Sequence, residues 1–149
     1  MKRKIIKWIL VILWMGLIFY FSSRDSDSST EQSRSVVNKT NIVEIYEEKN
    51  NTDNETALED VDRIFRKVAH VIEYLVLAVL LCLALSEYNS SLNKILLISF
   101  IVCLLYSVSD EAHQLLVSGR SGEIRDIIID NVGCIIGLLG YRLLKRRKS

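Results

Sequence analysis

Proline is absent from the 149 residues, so no proline kink interrupts the apolar runs. Charge of neither sign is in excess. The formal net charge is +1, which excludes nucleic acid as a partner drawn by bulk charge. Cysteine is scarce, and Cys82, Cys103 and Cys134 each sit within an apolar stretch with no Cys-x-x-Cys neighbour and no nearby pair of histidines. They read as packing residues buried in a membrane rather than as a disulfide or metal set. A His-Glu-x-x-His pattern is also missing, which removes the zinc-protease reading, and no metal ligand set is assigned. No internal repeat is evident, which weighs against a proton-coupled transporter, the weakest of the readings kept. What remains is a chain that is 50% hydrophobic, with mean hydropathy +0.23, of a length that suits one domain over residues 1–149.

The expected fold is all-α, an integral membrane four-helix bundle with N-in/C-in topology. Its helices are placed at about 5–21, 57–85, 92–117 and 124–144. The first follows Lys2, Arg3, Lys4 and Lys7. It ends at Tyr20-Phe21-Ser22-Ser23, where a signal peptide would need a small residue before its cleavage point. An uncleaved helix is therefore expected, with Lys7 snorkelling to the surface and Trp8 and Trp14 facing the interface or lipid. Residues 22–56 form a polar extracytoplasmic loop. Val36, Val37, Val43, Ile45 and Tyr46 in it have the spacing of a short amphipathic helix lying on the membrane or over the bundle. Thr56 with Glu59 fits a capping box opening the second helix. Gly133 and Gly137, continued by Gly140, give the fourth helix a small-residue face suited to close packing within one chain.

Lysine and arginine set the orientation. They gather at the N-terminus, at Lys94 in the connector, and at Arg142, Lys145, Arg146, Arg147 and Lys148. These three segments belong on the cytoplasmic side of the membrane. Counting outward from there at about 1.5 Å per residue, Ser22, His70, Asp110 and Asp130 stand roughly 22–24 Å away. Four separate helices thus bring polar groups to one layer in the outer part of a hydrocarbon core roughly 30 Å thick.

Ionisable groups at that depth are costly, and by default they mark a functional site. His70, Glu73 and Tyr74 share one helix face with Lys67 a turn earlier. Asp110, His113 and Gln114 repeat the i, i+3, i+4 spacing, with Glu111 beside them. Asp126 and Asp130 are four apart, Asn131 follows, and Arg120 comes from the intervening loop. If the cluster is catalytic, His70 or His113 is the acid–base group, with Glu73 and Asp110 orienting it. Lys67 and Arg120 suit an anion, and Tyr74, Glu111, Gln114, Asp126, Asp130 and Asn131 complete the binding set. The same groups could instead pair with one another and fix helix register. Ser22 and Ser23 would be nucleophiles only beside a positioned base, and otherwise cap the first helix. Asp110 facing His70 is the contact expected at the centre.

Three segments, RKVAHVIEY (66–74), SDEAHQLLVSGR (109–120) and DIIIDNVGCIIG (126–137), together with WMGLIFYFSS (14–23), resemble the VanZ-like membrane proteins. The resemblance covers nearly the whole chain in order, apart from the loop after Ser29, which is longer and more acidic than that family suggests. It implies a small, multi-pass bacterial membrane protein. Founding members confer resistance to the lipoglycopeptide teicoplanin without altering the peptidoglycan precursor in the usual way. A partner of that kind is a membrane lipid, a lipid-linked envelope precursor or a lipoglycopeptide. The motif match carries the site onto Lys67, His70, Glu73, Tyr74, Asp110, Glu111, His113, Gln114, Arg120, Asp126, Asp130 and Asn131. Cofactor, oligomeric state and the choice between enzyme, binder and scaffold stay open.

Overall fold

In a computed structural model, the described residues are 2–23, 43, 46, 54–116 and 124–147. Four long helices run through them: α1, Lys2–Ser22; α2, Asn54–Leu85; α3, Leu92–Gln114; and α4, Ile124–Arg146. Each contains a stretch long and apolar enough to cross a membrane. The described part of the chain is therefore all-α, a bundle of membrane-spanning helices.

Several helix ends differ from the sequence expectation. α2 begins at Asn54, so Thr56 lies inside the first turn and does not cap it. α3 stops at Gln114 rather than at 117, where the turn tightens as the Leu116 amide bonds the His113 carbonyl at 2.9 Å. α1 starts at Lys2, so its basic residues are part of the helix.

The bundle is apolar on both sides of its wall. Ile5, Ile9, Ile12 and Leu13 on α1, Leu97, Ile101 and Leu105 on α3, and Ile128, Ile135 and Leu139 on α4 face outward and exposed, as lipid-facing positions do. Val11, Ile18, Tyr74, Leu77, Ala78, Leu81, Ala84, Cys103 and Cys134 fill the interior. The three cysteines are buried and free, as expected of packing residues.

α2 is the hub, since α1, α3 and α4 all pack on it. Its seam with α4 is set by Gly133 and Gly137. A Cβ on Gly133 would strike the carbonyl oxygen of Val71, and one on Gly137 would meet the Leu75 carbonyl and lie 3.2 Å from Ala78 Cβ. The Gly-x-x-x-Gly face is thus spent inside the chain, where missing side chains let two helix backbones touch. Gly140, further along, has nothing within 4 Å and takes no part.

One end of the bundle gathers the start of α1, the α2–α3 connector and the end of α4. Lys7 Nζ bonds Glu87 and the Leu83 carbonyl, the Trp8 indole donates to Tyr88 at 3.1 Å, and Lys4 lies over the Tyr88 ring. Tyr141 packs there with Cys82 and Ile95. The hydrogen bond from Lys7 holds the Glu87 carboxyl below its ordinary value of 4.5, with the Lys7 charge adding to it. A lowered folded value means that the stabilisation exists above 4.5 and is lost as pH falls through the lowered one. Glu87→Gln is therefore expected to lower thermal stability slightly at neutral pH and to match the wild type in acid, once the carboxyl is protonated in both states. A difference that persists in acid would contradict the pairing.

Of the short loop helix, Val43 and Tyr46 are helical. They pack on Ala57, Leu58 and Val61 of α2, and the Tyr46 hydroxyl donates to Asp60 at 3.2 Å. Val36, Val37 and Ile45 lie outside the described residues.

Candidate functional site: a polar layer across the bundle

The end opposite the connector is where each helix turns a polar face inward. The periodicity of α2 sends Lys67, His70 and Tyr74 to the bundle and Val68 and Ile72 to its outside. On α3, Asp110, Glu111 and Gln114 are buried while Val108 is exposed. On α4, Asp130 is buried and Ile128 and Val132 are exposed.

Cross-helix contacts build the layer. His70 Nδ1 on α2 stands 3.5 Å from Asp130 Oδ1 on α4 and 3.7 Å from Glu73 Oε2 on its own helix. One turn outward, Lys67 Nζ meets Asp126 Oδ1 at 3.7 Å. From α3, Asp110 lies within electrostatic reach of both His70 and His113, so the histidine expected to face Asp110 also meets the α4 aspartate. Gln114 donates to Asp110 Oδ2 over a long 3.4 Å. Asn131 donates to the Ile127 carbonyl and to Ser107 Oγ at 3.1 Å, which ties α4 to α3. Tyr74 is fully buried against the Tyr106 ring, and Glu111 is buried beside Asp110.

α1 closes the layer. Ser22 is buried next to Asp110, and Ser23 Oγ lies 3.1 Å from His113 Nε2 while donating to the Phe19 carbonyl at 2.6 Å. Phe19 stacks on the His113 ring with centroids 4.4 Å apart, which fixes the imidazole. Ser23 therefore caps the helix, as expected, and its oxygen is left to accept from His113 Nε2.

Trp14 differs from its sequence reading. Its indole N–H is turned inward and donates to the Glu73 carbonyl at 2.9 Å. Tyr106 and Ser107 were not singled out from the sequence. The Tyr106 hydroxyl donates to the Met15 carbonyl at 2.6 Å, so α3 and α2 each clamp α1 beneath the polar layer. The only available signal was a hydroxyl inside an apolar run, where a hydroxyl needs a partner.

Of the sequence candidates, Lys67, His70, Glu73, Tyr74, Asp110, Glu111, His113, Gln114, Asp126, Asp130 and Asn131 lie in this layer; Arg120 lies outside the described residues. Among the described residues, no three His, Cys, Asp or Glu side chains group as metal ligands. The chemistry on offer is proton exchange at two imidazoles, hydrogen bonding, and recognition of charge by a carboxylate-rich set.

Residues 7–145 match the family model described as VanZ/LLP1. No curated protein and no solved structure matches the chain.

Proposed function

The chain belongs to the VanZ/LLP1 family, and from that premise we propose that it raises tolerance to teicoplanin-type glycopeptides at the bacterial cytoplasmic membrane. It does so by engaging the polar head of an anionic lipid or lipid-linked envelope molecule at the outer membrane face. The observation that carries this reading is the layer itself. Four apolar helices each contribute ionisable or hydrogen-bonding groups to one level, at a depth where unneeded charge is selected against. Lys67 supports an anionic ligand, because its pair with Asp126 is long and partly exposed, and a phosphate or carboxylate can compete for it.

The Ser23–His113 contact favours a second reading, covalent modification of the same molecule. The Ser23 hydroxyl hydrogen is given to the Phe19 carbonyl, so this reading requires the hydroxyl to turn from Phe19 to His113 Nε2 when the ligand binds.

Expression of the chain in a susceptible bacterium is expected to raise the teicoplanin concentration tolerated, with no change for antibiotics that do not act at the envelope. Unchanged tolerance at confirmed membrane expression would contradict the proposal. The N-in/C-in orientation has its own check. With the native cysteines buried, a cysteine at Thr56 is expected to react with an impermeant maleimide added to intact cells, and one at Ser90 only after lysis. Labelling of both from outside would overturn that orientation.

A further inference from the structure

Buried oxygen atoms from all four helices gather at the centre of the layer. Tyr74, Ser22, Asp130 and Asp110 come one from each helix and are 0%, 1%, 1% and 3% exposed. Among the described residues, the Tyr74 hydroxyl, Asp130 Oδ1 and Asp110 Oδ1 make no hydrogen bond. They are neighbours. Tyr74 is within electrostatic reach of both aspartates, and the Ser22 hydroxyl lies at Asp110 as its hydrogen-bond partner. Asp110, Glu111, Asp126 and Glu73 all act on Asp130. Among the described residues, Lys67 is engaged with Asp126, and His70 approaches Asp130 only to 3.5 Å. A carboxylate oxygen at this depth needs a donor or a positive charge beside it.

We infer that Asp110, Asp130, Tyr74 and Ser22 form a subsite for a compact cationic donor, specifically the primary ammonium of a lipid head group. An ammonium has three N–H donors and no acceptor. Those donors match the two aspartate oxygens and one hydroxyl oxygen, while the second hydroxyl is left to donate to a carboxylate. A free monovalent cation shares the charge but brings no donors.

The inference rests on reading the layer as a ligand site, and it deepens that reading. Lys67 would take the phosphate and the aspartates the amine, so the ligand head group is zwitterionic. It also separates the layer into an outer rim at Lys67 and Asp126 and an acidic interior.

The test uses the full chain purified in detergent, with phospholipids of identical acyl chains carrying ethanolamine, choline or glycerol head groups. Native mass spectrometry reads retention, and thermal unfolding reads stabilisation. The ethanolamine lipid is expected to bind about tenfold or more tighter than the choline lipid, the difference a charge-assisted hydrogen bond supplies. Asp110→Asn and Asp130→Asn are each expected to remove that preference, and Lys67→Ala to keep it while weakening all three lipids. If the Asn variants do not accumulate, the wild-type ranking alone decides. Stabilisation by sodium chloride over choline chloride, with no head-group preference, would place a free cation there and overturn the ammonium assignment. Equal binding of all three lipids without any cation effect would overturn the subsite and leave the anion reading standing. Binding of none of them would sink both.

Discussion

Gly133→Ala is expected to cost about 3 kcal/mol or more of stability and to leave little folded protein. Adding atoms to a packed interior ordinarily costs about 1–3 kcal/mol, because side chains shift to make room. Here the wall is backbone. The new methyl would strike the Val71 carbonyl oxygen and lie 2.9 Å from both the Val71 carbonyl carbon and Cα. Only a displacement of α4 from α2 relieves that, and this seam carries His70 against Asp130. Gly140→Ala is the control, because nothing lies within 4 Å of its Cβ position. It is expected to be neutral or stabilising by up to about 1 kcal/mol, the helix-propensity difference. Thermal unfolding of the two variants in the same detergent decides the point, and equal melting temperatures would contradict the described seam.

The second large effect is expected at His70, with a sign that reverses across its pair. His70→Leu leaves the buried Asp130 carboxylate without the imidazole 3.5 Å away. Removing the imidazole that faces a buried aspartate oxygen costs about 1–3 kcal/mol, the desolvation of the polar group left behind. Asp130→Asn removes the charge and keeps the shape, so stability is expected to hold or rise. In the double variant most of the His70→Leu loss should return, and the coupling between the two sites is read from that cycle. A polar layer that served only to fix helix register would behave otherwise. Asp130→Asn would then fall as far as His70→Leu.

How much of this was legible in the sequence follows from the kind of signal each feature leaves. The four helices are written in the apolar runs, which ordinary packing does not override. The polar layer could be found by counting residues from the basic ends, because helix rise is constant. Gly133 and Gly137 announce a close approach, yet their partner, the Val71–Leu75 stretch of α2, carries no mark of its own. Trp14 and Tyr106 were hidden for a different reason. Both sit in runs that read as lipid-facing or core, and their hydrogen bonds go to backbone carbonyls of Glu73 and Met15, which any residue type presents. The Ser23–His113 contact joins the first helix to the third across 90 residues, so only the register between helices reveals it. The start of α2 at Asn54 shows the limit of a capping pattern: Thr56 and Glu59 have the right spacing, but the helix continues upstream of them.

The central claim is that the polar layer serves a ligand and is not merely helix glue. Asp110→Asn and Asp130→Asn test it most directly, in cells, with teicoplanin tolerance and the amount of protein in the membrane measured on the same cultures. Both changes neutralise a buried carboxylate at constant shape, so folding is expected to be preserved. The account predicts that tolerance falls to the level of cells lacking the protein while the amount in the membrane is unchanged or higher. Tolerance that stays at the wild-type level, or that declines only in proportion to the protein present, would contradict it.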